Sequence, residues 1–134
     1  MPAAKVVDSW ALVAWVQEEP GGSAVDRFLL RADAGELQLL MSWYNVAETF
    51  YTVAKRKKLA VAEEFLTRLP SLPIRLVLPD EEGIIAAARV KASHTVALGD
   101  AFAIALAQSE AASVVTGDPE IRRSKLVPVD WVGA

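Results

Sequence analysis

Four acidic residues stand where a predicted strand ends or a predicted helix begins. Asp8 and Asp118 each follow a short run of β-branched residues, and Glu48 and Asp100 lie near the starts of two long apolar-periodic segments. Carboxylates gathered at one place repel one another unless they are protonated or share a cation. Carboxylate and water oxygens suit Mg²⁺ or Mn²⁺. These acids therefore form a metal site if the fold brings them together.

Apolar periodicity predicts the elements that must position the acids. Strands are predicted at residues 3–7, 37–41, 74–78, 113–116 and 126–129. Helices are predicted at residues 9–17, 23–34, 43 to about 58, 61–69, 80 to about 93 and 98 to about 111. Strands that alternate with helices of this length predict an α/β fold, in which helices cover both faces of a parallel sheet.

The predicted connections place all four acids at one edge of this sheet. In a right-handed strand–helix–strand unit, a helix that follows a strand begins at the carboxyl edge of the strands. Asp8 and Asp118 follow strands directly, and Glu48 lies about a turn or two from the edge. Asp100 opens an Ala-rich helix above its apolar stripe and is expected to point inward. Ligands of open α/β sheets bind at this edge.

Each acid has a simpler interpretation when it is taken alone. Asp8 and Asp100 suit helix caps, and Glu48 suits a solvated helix face. Asp118 before a proline is a good helix start. The four residues come from separate segments, however, and converge on one edge. This convergence favours a shared site for hard cations, whose characteristic chemistry is metal-assisted phosphoryl transfer.

Composition limits the class of protein. The chain has 134 residues, which predicts one domain spanning residues 1–134. It is 53% hydrophobic and 23% charged, so it can bury a core. The net charge of −3 gives no bulk sign of nucleic-acid or membrane-surface binding. The absence of cysteine excludes disulfides and thiolate metal ligands. No signal peptide or membrane span is recognised, which predicts a soluble, cytoplasmic protein.

Basic residues near the predicted site have two interpretations. Lys55 begins a run of four cations at the end of the third helix, where cations complement the helix dipole. The alternative is contact with an RNA backbone or with an antitoxin. Arg122 and Arg123 follow Asp118 closely and suit either phosphate binding or a solvated helix face. His94 is the only histidine, and without a Gly-x-Ser-x-Gly elbow it is interpreted as structural or exposed.

Four ordered pieces of the sequence resemble a known family. They are Val6-Val7-Asp8-Ser9, Asn45-Val46-Ala47-Glu48, the run from Leu98-Gly99-Asp100 to Ala107, and Val114-Val115-Thr116-Gly117-Asp118. In this order and at these spacings, the chain is similar to the PIN-domain ribonucleases, and most of all to the VapC toxins of toxin–antitoxin pairs. The resemblance covers essentially the whole chain.

The resemblance implies a three-layer α/β/α sandwich with a central, mainly parallel five-stranded sheet. It also implies Mg²⁺- or Mn²⁺-dependent cleavage of RNA, an antitoxin that occupies the site, and a homodimer. Asp8, Glu48, Asp100 and Asp118 match the acidic positions of the family, with Thr116 and Ser9 as supporting hydroxyls. Family members often carry a further Asp and an aromatic residue after the last acid. This chain has Pro119-Glu120-Ile121, and Glu120 is interpreted as an auxiliary acid.

Two other functions compete with this prediction. One is a catalytically weakened PIN-like module that binds RNA or protein, and the altered segment after Asp118 motivates it. The other is a receiver-like phosphoacceptor domain with Asp80 as the acceptor. That fold needs an acidic pair on its first loop, and Asp8 has no acidic neighbour. Mn²⁺ binding distinguishes the nuclease from the weakened module.

Overall fold

A five-stranded parallel sheet forms the centre of the computed structural model, which describes residues 2–133. The strands are β1 (Ala3–Val7), β2 (Leu37–Ser42), β3 (Ile74–Val77), β4 (Ser113–Thr116) and β5 (Val129–Trp131). Their order across the sheet is β3-β2-β1-β4-β5, and every neighbouring pair is parallel. The predicted α/β fold is confirmed.

Helices connect the strands. They are α1 (Ser9–Val16), α2 (Gly22–Asp33), α3 (Trp43–Arg56), α4 (Leu59–Arg68), α5 (Glu81–Ser93), α6 (Leu98–Ser109) and α7 (Pro119–Ser124), and a 3₁₀ turn at Leu69–Ser71 follows α4. The predicted helices agree with these bounds to within about two residues. Among residues 2–133, no single helix is long and apolar enough to cross a bilayer, and only the α5–α6 pair, bent by 119°, meets the criteria jointly.

The fifth strand begins later than predicted. The sequence predicts a strand at residues 126–129, whereas β5 spans Val129–Trp131. Pro128 has no N–H group to donate to a neighbouring strand. Its carbonyl accepts a bond from Val114 N at 2.9 Å, and regular pairing starts only at Val129. The apolar residues before Pro128 pack against the helices instead: Val127 and Leu126 both belong to the core around α6.

Alternating side chains divide the core between the two faces of the sheet. Val7 and Leu39 face one side, whereas Val6 and Leu40 face the other, as the period of two requires. Helices α1 to α4 cover the first face, and α5, α6 and α7 cover the second. The three-layer α/β/α sandwich is therefore confirmed.

The chain reverses its winding direction at β1, which lies between β2 and β4. This reversal opens a crevice at the carboxyl ends of β1 and β4. Four helices begin at that edge with side-chain caps, namely α1, α3, α5 and α7. Asp8 accepts from Ala11 N at 2.9 Å, Ser42 from Tyr44 N at 3.2 Å, and Asp80 from Gly83 N at 2.8 Å.

A partly buried ion pair links β1 to β5 across β4. Lys5 Nζ donates to Asp130 Oδ2 at 2.8 Å and to Ser113 Oγ at 3.3 Å, and Ser113 Oγ donates to Asp130 at 2.5 Å. The two charged side chains are only 17% and 30% exposed. Removing Lys5 would leave a half-buried carboxylate with one hydrogen bond fewer.

We therefore expect Lys5→Met to lower the free energy of unfolding by about 1–3 kcal/mol, because the charged hydrogen bond from Lys5 to Asp130 is lost. The matched control is Arg31→Met, whose partner Glu36 lies 3.6 Å away with both side chains more than half exposed. That change should cost less than about 1 kcal/mol. Urea unfolding measures both, and equal losses would contradict the role given to Lys5.

Candidate metal centre

Asp8 is both a helix cap and a member of the crevice. Its side chain is 2% exposed at the end of β1. Oδ1 accepts from Ala11 N, and Oδ2 accepts a short hydrogen bond from the Thr116 hydroxyl. Thr116 Oγ1 in turn accepts from Asp118 N at 2.9 Å. The hydroxyl therefore ties the end of β4 to the carboxylate at the end of β1.

Three further acids meet beside Asp8. The carboxylates of Asp100, Asp118 and Glu120 each place an oxygen within 4.8 Å of the others. Asp118 caps α7 and accepts from Glu120 N at 2.8 Å, so the turn at Pro119 brings the two acids to the same side. Asp100 lies in the first turn of α6, is 8% exposed and accepts from Ala97 N at 3.4 Å. Asp100 therefore points inward, as predicted.

Glu48 reaches the same edge from α3. Its Oε1 accepts from Ser9 Oγ at 3.1 Å and from Asn45 Nδ2 at 2.9 Å. The carboxylate lies directly over Gly99, where an added Cβ would be only 2.0 Å from Oε1. Glu48 therefore contacts α6 at the residue that precedes Asp100. It lies outside the tight group that Asp100 forms with Asp118 and Glu120.

The turn between Thr116 and Asp118 is held by an aromatic ring. A Cβ at Gly117 would lie 2.3–2.5 Å from the ring of Trp10, so the indole packs directly on this backbone. Trp10 is partly buried against the core of the first face. The indole thus supports the turn that carries Asp118.

Burial and mutual repulsion raise the pKa values of two of these acids. The pKa of Asp8 is raised from 3.8 to about 7, chiefly by burial. Its hydrogen bonds to Thr116 and Ala11 oppose the shift, and the charges of Asp118 and Glu48 add to it. The pKa of Asp100 is also well above its ordinary range, because of burial and then the charge and contact of Asp118. A cation in the crevice would lower both values.

The donor set fits a hard divalent cation. Every candidate ligand is a carboxylate oxygen, and no cysteine exists in the chain. Mg²⁺ binds oxygen at about 2.0–2.1 Å, so two oxygens on one ion lie at most about 4.2 Å apart. Oxygens of Asp100, Asp118 and Glu120 lie within 4.8 Å of one another, so small side-chain rotations are enough to meet that limit.

The predicted basic residues are all exposed, and two of them lie on α7 just after Asp118 and Glu120. Arg122 stacks on Trp131, with the guanidinium carbon 4.3 Å from the ring centroid. Arg123 is exposed and lines a cleft that also contains Glu120 and His94. Lys55 is exposed near the end of α3, with its ammonium 5.6 Å from the Tyr51 ring.

Sequence reasoning missed Asn45 as a member of the site. Its amide contacts both Glu48 and the Gly99 carbonyl, and its side chain is buried. The available signal was the spacing of three residues between Asn45 and Glu48, which places both on one face of α3.

Asp80, the acceptor of the receiver-like alternative, is exposed and caps α5 through Gly83 N.

The fold and the acidic crevice define a recognised class of protein. The family model of the PIN domain matches residues 5–125, and the chain belongs to this family. No curated protein sequence matches the chain.

Solved structures with the same fold include toxins of toxin–antitoxin systems. VapC20 of Mycobacterium tuberculosis, described as a sarcin–ricin loop cleaving toxin, is 14% identical with a TM-score of 0.76, covering 92% of this chain and 96% of that one. The DNA-bound VapBC of Salmonella typhimurium is 17% identical with a TM-score of 0.75, covering 98% and 99%. FitAcB of Neisseria gonorrhoeae is 22% identical with a TM-score of 0.66, covering 93% and 95%.

The raised pKa of Asp8 predicts that the metal-free protein loses stability as pH rises. The folded state keeps the proton up to about pH 7, whereas the unfolded chain releases it near 3.8. The contribution of Asp8 to the free energy of unfolding should therefore fall between about pH 4 and pH 7 and stay low at higher pH. Thermal melts in EDTA from pH 5 to pH 8 should show this fall.

Asp8→Asn provides the matched comparison because asparagine keeps the size and the capping oxygen. The variant should melt above the wild type at pH 8 and lose less stability across the range. Mn²⁺ should raise the melting temperature of the wild type at pH 8. Parallel pH curves for the two proteins would contradict the electrostatic account of Asp8.

Proposed function

We propose that this protein is a metal-dependent endoribonuclease and the toxin of a toxin–antitoxin pair. The observation that carries the proposal is the gathering of acids from four segments at the crevice between β1 and β4. Asp8, Asp100 and Asp118 are in electrostatic contact there, and Glu48 and Glu120 lie beside them. Membership in the PIN-domain family supports the same chemistry.

Asp8, Asp100, Asp118 and Glu48 are the proposed metal-binding and catalytic residues, and Glu120 supports them. A bound Mg²⁺ or Mn²⁺ would supply a water of lowered pKa and would stabilise the leaving oxygen of a phosphodiester. Thr116 holds the Asp8 carboxylate by its hydroxyl, and Ser9 holds Glu48. Asp100 and Asp118 also accept backbone hydrogen bonds, from Ala97 N and Glu120 N. These donors favour one fixed arrangement of the four proposed ligands.

The position of Glu120 weighs against the catalytically weakened alternative. That alternative rested on the unusual segment after Asp118. Glu120 nevertheless brings a carboxylate oxygen within 4.8 Å of both Asp100 and Asp118, so the segment still provides an acid to this group. The altered sequence therefore gives no reason to expect a lost site.

Arg122, Arg123 and Lys55 are the proposed contacts to the RNA backbone. All three side chains are exposed, and none forms an ion pair among the described residues. Arg122 and Arg123 are on α7, directly after Asp118 and Glu120. Lys55 follows Glu48 by seven residues on α3, a rise of about 10 Å. In this proposal the cations flank the acids on two sides and bind the phosphates of the RNA backbone that extend beyond the site.

Protein partners are also proposed. The structural neighbours from Salmonella typhimurium and Rickettsia felis are VapBC complexes, which supports a cognate antitoxin for this chain. Exposed apolar side chains at Leu78, Ile84 and Ile85 supply surface that supports a homodimer. The proposed location of the protein is the cytoplasm, where an RNA substrate is available.

Asp8→Asn and Asp100→Asn should each lower RNA cleavage at least 100-fold in the presence of Mn²⁺, because each removes a ligand charge from the crevice. Cleavage-site mapping on total RNA, with and without Mn²⁺, measures the activity. Asp33→Asn on α2 is the control, since Asp33 is exposed and far along the chain from the crevice. Wild-type rates in either crevice variant would show that the catalytic assignment is wrong.

Arg122→Gln, Arg123→Gln and Lys55→Gln should each raise KM for RNA several-fold and leave kcat nearly unchanged, because they contact phosphates away from the reacting centre. Each should also reduce the salt dependence of binding by about 0.7 in the slope of log K against log salt. Arg27→Gln, an exposed cation on α2, controls for the change in net charge. If the KM of a variant is no higher than that of the control, the substituted residue does not contact the RNA backbone.

A further inference from the structure

Two residues that contact Glu48 are of types that would not be chosen for folding stability at their positions. Asn45 is polar, yet it lies on the buried side of α3 and is only 1% exposed. Gly99 lies inside the first turn of α6, where alanine would favour the helix. Both residues contact the same carboxylate. Local rules that are broken together at one place in a protein mark a functional constraint.

Asn45 connects two helices through a single amide group. Its Nδ2 donates to Glu48 Oε1 at 2.9 Å and to the Gly99 carbonyl at 3.0 Å. Asn45 and Glu48 are one turn apart on α3, and Gly99 directly precedes Asp100 on α6. The amide therefore sets the position of the Glu48 carboxylate relative to the turn that carries Asp100.

The orientation of this amide is fixed by its partners. A carboxylate and a backbone carbonyl only accept hydrogen bonds, so the NH₂ group must face them. The other end, Oδ1, is then buried with no hydrogen-bond partner among the described residues. An unpaired buried oxygen is destabilising, and an apolar residue at position 45 would avoid it. Asparagine at position 45 therefore leaves one buried oxygen unpaired while its two hydrogen bonds hold Glu48 and the start of α6.

Gly99 provides the space that the carboxylate occupies. An added Cβ would lie 2.0–2.2 Å from Oε1, Oε2 and Cδ of Glu48, closer than any real contact of this type. Any other residue at position 99 would push Glu48 away from the crevice. Glycine is needed for this close approach and not for its backbone conformation, since Gly99 is not among the residues with positive φ.

The two donors to Glu48 converge on one oxygen. Ser9 Oγ and Asn45 Nδ2 both reach Oε1, and no donor among the described residues reaches Oε2. The carboxylate is thus held by one oxygen and offers the other. We propose that Asn45 is a positioning residue that, with Gly99 beneath it, fixes Glu48 so that Oε2 faces the metal site. This inference rests on the proposed metal-dependent function.

Asn45→Leu is the first test, because leucine has the same number of side-chain heavy atoms and no donor. Calorimetry with Mn²⁺ on the RNA-free protein should show a dissociation constant about tenfold higher than the wild type. The melting temperature should change little, since removing the unpaired oxygen and adding apolar surface offset the loss of the two hydrogen bonds. In cleavage assays kcat should fall about tenfold, with KM for RNA within twofold of the wild type.

A second variant approaches the same carboxylate from the other helix. Gly99→Ala should weaken Mn²⁺ binding to a similar degree, so the test survives if Asn45→Leu fails to fold. In a Glu48→Gln background, Asn45→Leu should change Mn²⁺ affinity no further, because the group it positions is already altered. Thr49→Val is the matched control: Thr49 is buried on α3 and donates to the Asn45 carbonyl, without contacting Glu48.

Each outcome separates the inference from the function beneath it. Wild-type Mn²⁺ affinity in folded Asn45→Leu or Gly99→Ala would overturn the positioning role, even if the wild type cleaves RNA. Equal weakening by Thr49→Val would do the same, because it would indicate general damage to α3. A wild type that binds Mn²⁺ but cleaves no RNA would overturn the proposed function and leave the positioning role standing. A wild type that binds no Mn²⁺ would overturn both.

Discussion

The buried carboxylate of Asp8 is the constraint on which the site depends. It has two hydrogen-bond donors, the Ala11 N–H and the Thr116 hydroxyl, and they do not offset its burial, since its pKa is raised to about 7. The Ala11 N–H is a local donor from the first turn of α1, whereas the Thr116 hydroxyl follows from the strand order, because β4 is the neighbour of β1. The same pairing delivers Asp118 to the crevice. The fold thus gathers carboxylates where they are poorly solvated, and a bound cation would offset the cost of charging them.

The sequence was sufficient to predict the sheet and the edge at which the acids meet. Alternating apolar runs and helices indicated parallel strands, and the handedness of the connections then placed Asp8, Asp100 and Asp118 at the carboxyl ends. The error in β5 arose at Pro128. The apolar residues before this proline pack against the helices of the second face, and strand pairing begins only after it. Periodicity identifies which residues are buried, but not which neighbour buries them.

The details of the site were less predictable because they depend on contacts between distant segments. Glu120 joins Asp100 and Asp118 through the turn geometry at Pro119, and the sequence alone indicated only an auxiliary acid. Asn45 and Gly99 are 54 residues apart and meet only because α3 and α6 approach beside the crevice. Local sequence patterns carry no information on such a meeting, although both residues are unusual choices for their positions.

The central claim is that the acidic crevice binds a divalent metal ion. A crystal structure of the protein soaked in Mn²⁺, with anomalous scattering measured for manganese, tests it most directly. We expect an anomalous peak between β1 and β4, with ligands drawn from the carboxylate oxygens of Asp8, Glu48, Asp100 and Asp118, and with Glu120 beside them. Saturating Mn²⁺ with no peak in the crevice, or with ions bound only elsewhere, would contradict it.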